Sequence, residues 1–268
     1  MKHPLFAIQV SDLHCGSKVG LCPPEVELGS GNVVLHGSNL HQEWLWAVWH
    51  ELTQRVLGLI AGTPAVLFVN GDATEGSHHK NGSDLIDADI QLHTTMAAEC
   101  LKPLASKCQK IFVTKGTECH TLNMEDVLAD LLKAEKRKAL EKWLVEINGC
   151  LIDATHHMPT TTRAYLEAGA MSIVLGNARV NAIRAGHQPA QIYLRGHRHC
   201  GGVFSDGAGM LAVTGAFQML TRFGYKVVPD SIPRPSIIVL DWRGKKPGEL
   251  PISHEFTSAP PQNEIVKL

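Results

Sequence analysis

A chain of 268 residues, 44% hydrophobic and 19% charged, has globular rather than disordered composition and can bury a core without disulfides or structural metal. Twenty-five Lys and Arg against twenty-six Asp and Glu give a formal charge of −1, which excludes a strongly basic nucleic-acid module but not a local basic patch. No apolar run reaches the roughly 18 residues of a membrane span, so no membrane partner is expected. The start Met1-Lys2-His3-Pro4 does not read as a signal peptide, and seven cysteines, an odd number, read as reduced thiols of a cytoplasmic protein.

Short apolar runs at 5–10, 65–69, 110–114, 150–154, 192–194 and 237–240 predict buried strands, with helix-length segments between them. This pattern reads as an α/β fold. No repeat, low-complexity segment or linker interrupts it, so one domain is expected over 1–268. A helix is predicted over 40–60, with Leu45, Val48, Trp49 and Leu52 on one face, and another over 85–104. A third follows Asn123, read as an N-cap with Asp126 in capping-box position. Its apolar stripe is Val127, Leu128, Leu131, Leu132, Leu140 and Leu144, with Lys136-Arg137-Lys138 on the solvent side. The stretch 159–190 is long enough for a helical cap. The Pro-rich end reads as a last strand or two and then an irregular tail over 258–268.

Five polar clusters each follow a strand-like run. They are Ser11-Asp12-Leu13-His14, Asn70-Gly71-Asp72, Lys115-Gly116-Thr117-Glu118-Cys119-His120, Thr155-His156-His157 and Arg195-Gly196-His197-Arg198-His199. In open α/β sheets, ligands collect beyond the carboxyl ends of strands, so the five clusters would converge. Histidine is the commonest side-chain metal ligand, and the chain has fifteen. Asp12 and His14, two residues apart, can aim at one cation. Asp72 has two oxygens with which to bridge two cations, and His197 with His199 can reach both. Imidazole with carboxylate suits Mn, Fe, Ni or Zn better than Ca or Mg. Two such ions about 3.5–4 Å apart can clamp a phosphate and activate a bridging water. Two divalent metal ions are therefore the expected cofactors, with Mn placed first.

The set Asp12-x-His14, Gly71-Asp72, Gly116-x-x-x-His120, His156 and Gly196-His197-x-His199 resembles the calcineurin-like metallophosphoesterase superfamily, over residues 12–199. The resemblance implies a four-layer α/β/β/α sandwich, a two-metal site and phosphoester hydrolysis. By position, it implies that Asp12, His14 and His199 hold one metal, that His156 and His197 hold the other, and that Asp72 bridges them. A metal-bridging hydroxide would be the nucleophile, with protonated His120 assisting the leaving group. The third cluster departs from the family's Gly-Asn-His. Thr117 stands where Asn is expected, and Glu118 where the His would be. Glu118 is read as the replacement oxygen ligand, with the Thr117 hydroxyl as the alternative. This Gly-Thr-Glu-x-His form, with Gly-Asp-x-x-Glu-Gly and a His pair before it, looks like phosphoesterases of phage genomes.

Strand alternation sends His156 and His157 to opposite faces. The family position favours His156 as ligand and leaves His157 for substrate. His78, His79 and Arg163 are read as further substrate contacts, beside Arg179 and Arg184 in the same cap stretch. Glu75 either orients a ligand histidine or faces solvent. Cys15, Cys119 and Cys200 adjoin ligand motifs and are read as small buried filler. The expected substrate is a phosphoester, with phosphodiesterase or broad phosphatase activity. The alternatives are a nuclease acting on DNA or RNA with a partner that supplies affinity, and a non-catalytic metal-binding scaffold. The altered third cluster supports the scaffold, and retention of Asp72, His197 and His199 opposes it. The sequence assigns no oligomeric state.

Overall fold

The computed structural model describes residues 3–27, 31, 33–35, 39–77, 81–121, 123–159, 166–228 and 231–260. Its first half runs β1 (Phe6–Val10), β2 (Glu25–Glu27), β3 (Val33–Leu35), α1 (Leu40–Ile60), β4 (Ala65–Asn70), α2 (Ile90–Ala105), β5 (Lys110–Thr114), α3 (Glu118–Thr121) and α4 (Glu125–Leu131). The second half runs β6 (Trp143–Ile147), β7 (Cys150–Ala154), α5 (Glu167–Arg184), β8 (Ile192–Arg195), β9 (Gly202–Ser205), β10 (Met210–Val213), α6 (Arg222–Val227), β11 (Ser236–Asp241) and β12 (Ile252–Thr257).

Strands β1, β4 and β11 are buried along their whole length, as continuous apolar runs covered on both faces must be. They lie in a five-stranded sheet of order β12-β11-β1-β4-β5, where β1, β4 and β5 are parallel. A second five-stranded sheet has the order β6-β7-β8-β10-β9, with β7, β8 and β10 parallel. One core joins the sheets face to face. Ala7, Val66, Phe68 and Ile238 come from the first, and Ile152, Leu194 and Ala212 from the second. A larger core lies between the outer face of the first sheet and α1, α2 and α4. Met171 and Leu175 of α5 pack on Tyr193, Leu211 and Val213, outside the second sheet. The layer order is therefore α/β/β/α. No helix among the described residues is long and apolar enough to cross a membrane.

Helix α1 occupies the predicted residues because its start and its stripe agree. The Asn39 side chain accepts from the backbone N–H groups of His41 and Gln42, while Leu45, Val48, Trp49, Leu52 and Val56 are buried. Trp49 Nε1 donates to the Cys100 carbonyl of α2 at 3.1 Å, tying the two helices together. Helix α2 begins at Ile90 rather than 85, because Asp89 caps it.

The third predicted helix is corrected. It ends at Leu131, Lys133 turns left-handed at φ 54°, and Asn123 is itself left-handed at φ 63°. Asp126 makes no capping box, since its carboxylate accepts from Ala139 N at 2.8 Å. Val127 and Leu131 are exposed, and Leu144 belongs to strand β6. The residues from Trp143 satisfy a period of two as well as of 3.6, and the two-residue turn Asn148-Gly149 decides between them. Its φ values of 49° and 73° are those of a tight hairpin joining β6 to β7.

In the stretch read as a cap, α5 forms the fourth layer, and Arg179 pairs with Asp206 at 2.5 Å. The last two strands are the hairpin β11–β12. Residues 258–260 carry no regular structure, and the rest of the tail lies outside the described residues.

Candidate metal centre

The five clusters sit at the carboxyl ends of β1, β4, β5, β7 and β8, and backbone hydrogen bonds tie their loops together. The loop after β1 runs beside the loop after β4. Asp12 N donates to Gly71 O at 3.0 Å, His14 N to Asp72 O at 3.1 Å, and Cys15 N to Ala73 O at 3.0 Å. Gly196 N donates to His156 O, which joins the β8 and β7 ends, and Phe217 N donates to Asp12 O. Asp12 also accepts from His197 N at 3.1 Å, across the two sheets.

Asp12, His14, Asp72, His197 and His199 all have left-handed backbone, with φ between 48° and 73°. Each such residue costs on the order of 1–3 kcal/mol and persists only where its surroundings over-determine it. The strain turns these side chains inward. Gly71, at φ 83°, leaves space that a Cβ would take from the His156 ring, and a Cβ at Gly116 would strike Asp72.

Two groups of ligand atoms result, Asp12–His14–His199 and Asp72–His156–His197. Asp12 Oδ1 lies 4.0 Å from His14 Nε2, 3.6 Å from His199 Nε2 and 3.9 Å from His156 Nε2, and so faces both groups. His156 Nε2 stands 3.0 Å from Asp72 Oδ2. A third group, His14–Glu75–His120, shares His14 with the first.

The groups fit metal ions. His156 Nδ1 donates to the Asn70 carbonyl at 2.7 Å, and His14 Nδ1 donates to Glu75 Oε2 at 2.9 Å. In neutral imidazole this leaves Nε2 as a bare lone pair. His14 Nε2 then faces His199 Nε2 at 3.1 Å. His156 Nε2 is fully buried without a hydrogen bond, beside the Asp72 carboxylate. Lone pairs converging in this way are balanced by a cation.

The charges are strongly coupled. Burial raises the Asp12 carboxyl above the usual carboxylate range, against the pull of His156. Burial also opposes ionisation of Asp72, yet His156 beside it and the charges of the other histidines outweigh that and hold it well below. Burial would lower His156, but the Asp12 and Asp72 charges push it up to about 9. Against burial, Glu75 raises His14. Burial and the His14 charge push His120 down to about 4.

The other expected site residues are placed as follows. Glu118 opens α3, is exposed, and belongs to none of the three groups. Thr117 is the residue turned inward. Its N–H donates to Asp72 Oδ1 at 2.6 Å, and its hydroxyl donates to Asp72 Oδ2 at 3.0 Å and lies 3.3 Å from His197 Nδ1. His120 Nδ1 donates to the Glu75 carbonyl at 3.0 Å, and its ring stands edge-on to His14. His157 is exposed, its ring centroid 4.9 Å from that of His197. His78, His79 and Arg163 lie outside the described residues. Cys15 is buried, Cys119 and Cys200 are half-buried, and none of the three is in a ligand group.

Glu75 is buried and points inward, and Gln218 Nε2 donates to the same Oε2 that holds His14, at 2.8 Å. Gln218 follows β10 with no local motif. It arrives through a bridge to Gly20 that only the folded chain creates.

No family model and no curated protein matches the chain. Solved structures do. Vps29 from Entamoeba histolytica complexed with zinc matches at 12% identity, covering 95% of this chain and 98% of that one, with a TM-score of 0.45. An archaeal phosphodiesterase matches at 12% identity, covering 94% and 99%, with a TM-score of 0.43. A predicted phosphoesterase from Streptococcus pneumoniae matches at 14% identity, covering 96% and 99%, with a TM-score of 0.36. The chain's own structure is a four-layer α/β/β/α sandwich with histidine and carboxylate clusters gathered at the strand ends.

Proposed function

We propose that the chain is a dinuclear metal-dependent phosphoester hydrolase, acting as a phosphodiesterase or broad-specificity phosphatase. The observation that carries this reading is Asp12 Oδ1, buried and within 4.0 Å of Nε2 atoms from both ligand groups. Two divalent cations, Mn first and Fe, Ni or Zn as alternatives, would supply Lewis-acid charge for the phosphoryl oxygens and lower the pKa of water. Asp12, His14 and His199 would hold one, and Asp72, His156 and His197 the other. Asp72 would face both, as Asp12 does.

The remaining groups shape what surrounds those ligands. Thr117 holds both Asp72 oxygens and is favoured over Glu118 by its contacts. His120, whose ring stands edge-on to His14, would serve the leaving oxygen. In the metal-free chain, burial and the His14 charge lower its proton affinity. His157 lies at the open side of His197, suited to contact substrate. His78, His79 and Arg163 are retained as proposed substrate contacts. Near-neutral net charge favours a small ester over tight duplex binding.

The test compares a chromogenic phosphodiester with the matching monoester on Mn²⁺-loaded protein, with Asp72→Asn as control. Turnover abolished in Asp72→Asn is expected, and the preferred ester names the substrate class. No turnover of either ester with Mn, Ni, Zn or Fe would overturn the reading and favour a macromolecular substrate or a scaffold.

A further inference from the structure

The outer face of α5 carries a pattern that the hydrolase reading does not use. The helix rests on the second sheet through Met171 and Leu175. On the opposite side, Leu166, Gly169, Ile173, Gly176, Val180 and Ile183 follow alternating steps of three and four residues, the spacing of a coiled-coil seam. Leu166 is 43% exposed, Ile173 64%, Val180 44% and Ile183 64%. A Cβ built at Gly169 or Gly176 would meet nothing within 4 Å, so these positions are open notches in the stripe. Bulky apolar side chains in a continuous exposed row mark an interaction surface.

We propose that α5 pairs antiparallel with α5 of a second copy of this chain, forming a two-fold dimer. The stripe complements itself. About an axis between Val174 and Leu175, Leu166 meets Ile183 of the partner, Gly169 meets Val180, and Ile173 meets Gly176. Each notch receives a branched side chain, and each contact occurs twice, as a two-fold interface requires. Charge agrees with this direction. Antiparallel pairing also sets the two helix dipoles in opposition, while Glu167 stays with its own chain, its carboxylate 3.7 Å from Arg198. Near the axis the flanking residues are Ser172 and Asn177, which carry no charge, so nothing repels there. An 18-residue helix is about 27 Å long. One such pair is at the small end of stable interfaces, so the dimer depends on concentration.

Sedimentation velocity of the full chain over a concentration series tests this. A reversible dimer is expected. Ile173→Lys, at an exposed position the monomer tolerates, should raise the dissociation constant by about tenfold or more while leaving the circular-dichroism melt of the monomer unchanged. Gly176→Ala should also weaken the dimer, though on an isolated exposed helix the same change raises thermal stability. A monomer at every concentration overturns the proposal and leaves the stripe to a different protein's helix. A dimer that both variants leave intact overturns it too.

Discussion

The two ligand groups differ in what stands behind their histidines. His14 is held by a carboxylate, Glu75, which is itself steadied by Gln218. His156 is held by a backbone carbonyl, that of Asn70. Each group also has one half-buried histidine, His199 in the first and His197 in the second. A carboxylate behind an imidazole makes it a more basic ligand than a carbonyl does. The first group is therefore tunable by side chains, and the second leans on the backbone.

The largest expected effect removes a carboxylate from the ligand set. Asp72→Asn should lower turnover by at least about a thousandfold, measured with the preferred chromogenic ester. If rate survives, the shared carboxylates do not organise the chemistry. Next, Glu75→Gln should weaken one of the two metals by about 10–100-fold and leave the other unchanged, as read by competitive chelation. Equal weakening of both would erase the distinction between the groups.

A smaller effect tests the second group. Thr117→Val removes the hydroxyl bond to Asp72 and should cost about tenfold in kcat, while Glu118→Gln stays within about twofold in rate and keeps its metal content. Reversed outcomes would make Glu118 the ligand. The smallest effect is in stability. In metal-free protein His120 is held at about 4, below its ordinary 6.5. Between those values the unfolded chain binds a proton there that the folded chain does not. His120's contribution is therefore full above about pH 6.5 and is lost as pH falls toward 4. Asp12, raised by burial, acts with the opposite sign. Urea midpoints of chelated protein should drop over that window, and His120→Asn should drop less.

Much of the architecture was legible because local signals agreed. The buried strands show as apolar runs, and α1 shows its apolar stripe. Where two periods fitted one segment, as at 140–147, the helix reading overran. Asn148-Gly149 was the signal that could have stopped it. Glu75 was open to two readings, and Gln218 had no signal at all.

The sequence by itself determined which residue types leave the strand ends, because strand length and the period of two depend only on neighbours along the chain. That was enough for the α/β class and for the histidine and carboxylate inventory. Only the tertiary structure decided that His156 is buried against Asp72 while His157 is exposed, that Thr117 rather than Glu118 turns inward, and that Glu75 and Gln218 stand behind His14. Those contacts join residues distant in sequence. Sheet order and left-handed turns bring them together, and no local spacing encodes either.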